Sequence, residues 1–324
     1  MEWNNFLERL ERYCNCPAPS GMEDALRETL IADLPAQGCD YDVDAAGNLI
    51  VYKRGAARPK RKLLFSAHMD EVGFMVKHIT DDGYLCFNAL GGIDRRVVSG
   101  RRIRFCKNDM PGVIASKAIH IQTPEEFGKC EPIEEMFIDV GCYDGAAVRE
   151  KLEVGDCATF EANFERFGDG LLKSKALDDR IGCAVLLALL YEELPCDAVF
   201  AFCTCEEIGC DGAKEVAFRE RPEIAVVVEA TTAGDICGVP PEKQACALRG
   251  GAVLAYMDGA AIYDRDLFQT ALEAARRRGI ACQIKNVVAG GNDSRSYQTG
   301  ACGARVLSIS APARYIHSAC GVVS

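Results

Sequence analysis

Two adjacent carboxylates, Glu206 and Glu207, follow the apolar run 198–203, which has the length and the β-branched and aromatic content of a buried strand. Gly209 and Asp211 then offer a turn into a helix over 213–218. The carboxyl end of a strand in an open α/β sheet is where such sheets bind ligands. Successive side chains leaving a strand point to different sides, so one carboxylate can hold a cation while the other faces a substrate. Glu-Glu pairs are common on solvated loops, and this one gains meaning from what stands at the ends of other runs. Run 62–67 delivers His68-Met69-Asp70, where alternation sets the imidazole and the carboxylate on one face and the carboxylate can fix the ring's tautomer. Asp178-Asp179-Arg180 follows 173–177 and opens a helix over 181–193; run 225–228 ends in Glu229; run 305–309 leads to His317. Two of only four histidines therefore stand at such exits. Imidazole nitrogen and carboxylate oxygen bind hard and borderline divalent cations, and without matched thiol spacings the set points to zinc, cobalt or manganese.

The elements that must position these groups are those of an α/β chain. At 324 residues it is long for one core, and a domain carrying an inserted second one is expected. Helical spacing over 5–13 gives a first helix; Ser20 with Glu23 reads as a capping box for a second, to about residue 34. Segments 41–44 and 49–52 form a hairpin around Gly47-Asn48. From Val72 to about Phe160 the texture changes to short alternating strands, such as 101–105 and 113–114, with turn pairs and one short helix near 146–151. A β-rich domain over 71–160 thus splits a doubly wound domain made of 1–70 and 161–324. Asp264 caps a helix ending at Gly279, and Arg276-Arg277-Arg278 in its last turn complement the helix dipole.

Composition narrows the function. Hydrophobic residues at 49% and charged residues at 26% are ordinary for a soluble globular chain. A net charge of -11 argues against nucleic acid or an anionic membrane as partner. The eighteen cysteines are scattered, many in apolar patterns, and no Cys-x-x-Cys occurs, which reads as buried thiols in a reducing cytosol. The stretch Met1-Glu2-Trp3-Asn4-Asn5 lacks a basic segment followed by an apolar core, and no run reaches membrane-spanning length, so a cytoplasmic enzyme is expected.

The pieces together resemble the tetrahedral aminopeptidases, co-catalytic metallo-aminopeptidases that include glutamyl and deblocking enzymes and are sometimes labelled endoglucanase. The resemblance runs in order through Pro19-Ser20-Gly21-Met22-Glu23, Asp44-Ala45-Ala46-Gly47-Asn48-Leu49, Ser66-Ala67-His68-Met69-Asp70-Glu71-Val72-Gly73-Phe74, Gly91-Gly92-Ile93-Asp94, Lys175-Ala176-Leu177-Asp178-Asp179-Arg180-Ile181-Gly182, Glu206-Glu207-Ile208-Gly209, Gly290-Gly291-Asn292-Asp293 and Arg314-Tyr315-Ile316-His317-Ser318. It implies a mixed-sheet α/β/α zinc-peptidase-like domain with an inserted PDZ-like dimerisation domain, and dimers assembling into a homo-oligomeric dodecamer that acts on peptides. It implies two divalent metal ions per subunit, bridged by Asp178, one also held by His68 and Glu229 and the other by Glu207 and His317. Glu206 is then the general base, Asp70 orients His68, and the 178–179 bond is a cis peptide. Asp293 either lines the end of the pocket that takes the substrate amine or caps a helix. The sequence departs from the family in Glu229, where Asp is usual, in Ala319 and Gly321, where Pro and Glu are usual, and in ending at Ser324, where relatives continue. A carboxypeptidase, an N-acyl amino acid deacylase, or a catalytically silent metal-binding shell are the alternatives. Glycosidase chemistry is excluded because its two carboxylates must face each other across a bond at about 5 Å or more, which neighbours on one strand end cannot do.

Overall fold

A computed structural model describes residues 3–324; Met1 and Glu2, the start of the stretch read for a leader, lie outside the described residues. In chain order, α1 (Trp3–Asn15) and α2 (Asp24–Ala32) precede the hairpin β1 (Cys39–Val43) and β2 (Leu49–Lys53), and β3 (Leu63–His68) follows. Then come β4 (Gly73–Ile79), β5 (Leu85–Leu90), β6 (Arg102–Phe105), β7 (Pro111–Ala115), β8 (Phe137–Asp139), α3 (Gly145–Arg149) and β9 (Cys157–Phe160). The rest comprises β10 (Glu165–Phe167), β11 (Leu171–Ser174), α4 (Leu177–Leu190), β12 (Ala198–Cys203), α5 (Asp211–Glu220), β13 (Ile224–Thr232), β14 (Ala252–Leu254), α6 (Arg265–Arg278), β15 (Cys282–Ile284), α7 (Ser294–Thr299), β16 (Arg305–Ala313) and β17 (Gly321–Val323).

Eight strands form one mixed sheet in the order β1-β2-β12-β3-β13-β16-β14-β15. Its centre, β12-β3-β13-β16, is parallel, with antiparallel pairs at β1-β2, β2-β12 and β16-β14. Strand alternation feeds two cores. On β12, Phe200 and Phe202 pack with α1, α2 and α4, while Val199, Ala201 and Cys203 pack with α5 and α7 on the other face. Each such buried aromatic contributes about 1.5–3 kcal/mol, so both faces are pinned and the register is fixed. His68 ends β3 directly opposite Cys203, the end of β12, which brings the 68–70 and 204–207 segments to one edge.

Between β3 and β10 lies a closed six-stranded barrel, β4-β5-β8-β7-β6-β9, with its own core in which Phe74 meets Phe87 and Phe160 edge-on at 5.4 and 5.1 Å. Several expectations shift. The strand expected over 173–177 is β11, which pairs with β10 and β17 in a separate three-stranded sheet, so Asp178 does not leave the main sheet. The helix expected over 181–193 already starts at Leu177, broken at Asp178 and Asp179, whose backbone angles are not helical and whose linking peptide is cis. β13 and β16 run past the expected ends at 228 and 309, because they pair continuously from Ile224↔Arg305 to Thr232↔Ala313. Among the described residues no helix is long and apolar enough to cross a membrane.

Candidate metal centre

His68, Asp178, Glu207, Glu229 and His317 converge at the carboxyl edge of the parallel strands as two overlapping triads sharing Asp178. In each triad the prospective ligand atoms lie within 4.8 Å of one another. His68 Nε2 stands 3.4 Å from Asp178 Oδ1 and 3.4 Å from Glu229 Oε1. His317 Nε2 stands 3.4 Å from the other oxygen, Asp178 Oδ2, and 3.2 Å from Glu207 Oε2. One carboxylate thus turns one oxygen to each half of the cluster.

The imidazoles are held from behind. His68 Nδ1 lies 3.1 Å from the carbonyl of Asp70 and 3.3 Å from its Oδ1, and His317 Nδ1 lies 3.0 Å from the carbonyl of Gly92. That leaves both Nε2 atoms facing the acids. Asp70 also organises the glutamates: its oxygens accept from the backbone N–H groups of Glu206 (3.0 Å) and Glu207 (3.1 Å) and from the Ser20 hydroxyl (2.6 Å). Gly92 comes from the segment after β5, so the barrel reaches the centre. Its neighbour Gly91 has φ +81°, and a Cβ there would lie 2.8 Å from Val72 and 3.2 Å from the Glu207 carboxylate. Asp179 is a backbone clamp, accepting from Gly182 N (2.9 Å) and His68 N (3.3 Å).

The sequence reading missed several of these supports. Ser20 and Glu23 make no capping box: α2 has no side-chain cap, Ser20 is turned to Asp70, and Glu23 accepts from Gly21 N (2.8 Å) and Cys205 N (3.0 Å). Asn48, read as a turn residue, accepts from Thr204 N at 2.9 Å and donates to the Gly212 carbonyl at 3.1 Å, bracketing the Glu206-Glu207 loop. Asp293 precedes α7 without capping it; it is buried, neither oxygen has a hydrogen-bond partner, and it groups with Glu206 and Cys210.

Electrostatically the centre is acid-rich. Burial raises Glu206, carries Glu207 to about 8 and Asp293 to about 8, and pushes Glu229 well above the usual carboxylate range. Burial also acts to raise Asp178, but the imidazoles of His317 and His68 hold it below that range. For the histidines burial acts downward and the acids outweigh it: Glu229, Asp178 and Asp70 raise His68 well above the usual histidine range, and Asp178 with Glu207 carries His317 to about 9. These are carboxylates short of positive charge, with nitrogen and oxygen donors and no thiol in either triad. The donor set fits divalent cations of the zinc, cobalt or manganese kind. A cavity of about 170 Å³ opens beside it, lined by His68, Asp178, Glu206, Glu229 and His317 on one side.

A family model described as M42 glutamyl aminopeptidase matches residues 47–324. A putative aminopeptidase of Acetivibrio thermocellus is 34% identical over 98% of this chain and 93% of its own. An aminopeptidase structure from Desulfurococcus kamchatkensis superposes with a TM-score of 0.94 at 29% identity, covering 99% of this chain and 91% of that one. The TET1 peptidase of Pyrococcus horikoshii, described as assembling into a tetrahedron or a large octahedral shell, gives 0.87 at 32% identity, covering 98% and 94%. Relatives named for opposite charges match alike: a lysyl aminopeptidase of Pyrococcus furiosus at 29% (96% of this chain, 90% of its own) and a glutamyl aminopeptidase of Lactococcus lactis at 27% (96% and 89%).

Proposed function

Because the chain belongs to the M42 glutamyl aminopeptidase family and is a metal-dependent aminopeptidase, we propose that the two triads each hold one divalent ion, with Asp178 common to both and Glu206 as the general base. The observation that carries this is the orientation of Asp178, one oxygen toward His68 and the other toward His317. His68 and Glu229 complete one site, Glu207 and His317 the other. When bound, the ions supply electrophilic assistance to the scissile carbonyl and lower the pKa of the attacking water.

The chain's own residues do the rest. Glu206 lines the cavity but belongs to neither triad, so its carboxylate is left to take the proton of the attacking water and hand it to the departing amine. Burial raises its affinity for that proton toward the working range. Asp70 orients His68 and fixes the Glu206 and Glu207 backbone, and Gly92 orients His317. The extra methylene of Glu229 still reaches His68 at 3.4 Å. Zinc or cobalt suits the donors, manganese less so. The barrel is the PDZ-like subunit-contact module of a homo-oligomer, in line with the TET1 shells; Ile119, Ile121 and Phe127, exposed between β7 and β8, support this reading. Eighteen free cysteines support a reducing, cytoplasmic setting.

Elemental analysis beside kinetics tests the site. Chelation should abolish hydrolysis, and zinc, cobalt or manganese should restore it. Asp178→Ala should lose both ions and activity together; a variant that kept two ions per subunit and turned over normally would place the centre elsewhere.

A further inference from the structure

A third cluster stands beside the two triads. Cys210 Sγ, a carboxylate oxygen of Glu206 and one of Asp293 lie within 4.8 Å of one another. The turn after β12 brings the first two together: the Cys210 N–H donates to the Glu206 carbonyl at 3.0 Å, Cys210 takes a φ of +59°, and its thiol turns back to donate to Glu206 Oε1 at 3.7 Å. Asp293 arrives from the start of α7, which is tied to the same turn where the Ser296 hydroxyl donates to the Cys210 carbonyl at 3.3 Å.

Asp293 is the member that lacks a partner. It is 1% exposed, and neither of its oxygens accepts a hydrogen bond. A buried acceptor left unmet costs about 1–3 kcal/mol, and a charged one more. Neither Asp293 nor Glu206 makes an ion pair among the described residues. Asp178 and Glu207 belong to the two triads, so cations held there leave one thiol and two acids still without a cation of their own. Glu206 lines the cavity and Asp293 lies behind it, outside the lining, so an ion entering through the cavity meets Glu206 first.

We propose that Glu206, Cys210 and Asp293 form a third, inhibitory site for a thiophilic divalent cation, zinc above all; the inhibition rests on the reading of Glu206 as the base. Thiolate and carboxylate oxygen are zinc ligands, and such donors favour zinc over cobalt and cobalt over manganese. On binding, the Cys210 S–H bond breaks, its proton passes to solvent, and the thiolate joins the two carboxylates around the ion. Burial and the two acids raise the Cys210 thiol, so the ion has to displace a firmly held proton. The site therefore fills after the two triads, which have imidazoles to offer and no thiol to deprotonate. With an ion on its carboxylate, Glu206 has no lone pair for the proton of the attacking water. Excess of an activating metal thus stops hydrolysis while both triads stay loaded.

The test starts from enzyme carrying two zinc ions per subunit and titrates it with more zinc, reading bound metal and hydrolysis together. A third ion should bind as activity falls, the two curves sharing one midpoint. Cys210→Ser keeps the size of the side chain and removes the thiolate, and should shift that midpoint upward at least about tenfold, since loss even of a residue supporting a metal ligand costs that much. Each variant is scaled to its own rate at two zinc ions, so altered folding or turnover does not enter the midpoint. Cobalt added to the two-zinc enzyme gives an optical readout independent of activity: a thiolate-to-cobalt charge-transfer band should appear in the unaltered protein and be lost in Cys210→Ser. Binding that stops at two ions, as a water alone at Asp293 would give, or a midpoint and band unmoved by Cys210→Ser, would overturn the site. A third ion bound through Cys210 with turnover unchanged would overturn the inhibition and the reading of Glu206 as the base, leaving the two triads as described.

Discussion

Asp70 and Glu71 are neighbours in sequence, both buried, yet they enter two unlike charge clusters. Glu71 turns into the protein beneath the site, where one of its oxygens accepts from Lys175 Nζ (2.6 Å), Arg180 Nη2 (3.2 Å) and Ala18 N (3.2 Å). Its charge is met by cations of the chain itself. Asp70 turns to the edge where Glu206, Glu207, Glu229 and Asp178 gather around two imidazoles, and where burial raises three of those four acids. The difference separates structure from function: a cluster balanced from within holds the fold, while one in acid excess is completed by something the chain does not encode. One strand end supplies both, because successive residues there point apart.

The largest expected effect breaks the balanced cluster. Glu71→Ala leaves Lys175 and Arg180 buried without their counter-ion and should destabilise the fold by about 3–5 kcal/mol, read as a lower denaturation midpoint, with the metal content of the remaining folded protein unchanged. Equal loss of metal and stability would erase the distinction between the clusters.

A smaller effect should appear in the acid-rich cluster when chelated. A carboxyl raised by burial, as Glu207 is to about 8, opposes folding increasingly as the pH climbs past its ordinary 4.5. An imidazole raised by its acids, as His317 is to about 9, stabilises below the usual histidine value of 6.5 and loses that contribution as the pH rises through 9. Asp178, depressed, titrates below 3.8 and adds no slope in this window. The chelated protein should therefore lose stability steadily between pH 4.5 and about 9, and loading with metal should flatten the curve. Calorimetry showing a flat profile without metal would mean the acid excess is not felt by the fold.

The smallest effect lies where the clusters meet. Ser20→Ala removes the hydroxyl that steadies Asp70, and loss of such a support should cost on the order of tenfold in metal affinity or activity. A stability change alone, with no change in metal affinity, would return Ser20 to a purely structural role.

How much of this is legible in the sequence follows from the range of the interactions. The apolar runs ending in His68, Glu206-Glu207 and Glu229 are local patterns, and the hairpin at Gly47-Asn48 pairs Val43 with Leu49 as its turn dictates. Ser20 and Glu23 fit the spacing of a helix cap equally well; what decided their fate is Asp70 and the Cys205 amide, 50 and 182 residues away. The origin of Asp178 in a small sheet depends on β17, near the end of the chain. The hold on His317 is a backbone carbonyl, at Gly92, which leaves no side-chain signature. The Glu71 cluster was missed for the same reason of distance: its lysine and arginine lie 104 and 109 residues on.

The central claim, that the acid excess holds cations while Glu206 stands apart as the base, is tested most directly by comparing Glu206→Gln with Glu207→Gln. Glutamine at 206 keeps shape but removes the basic site, so the variant should retain two ions per subunit and lose about 10² to 10⁴ in kcat with little change in KM. Glu207→Gln should lose one of the two ions. Metal loss in the 206 variant equal to that in the 207 variant, or normal turnover in Glu206→Gln, would contradict the account.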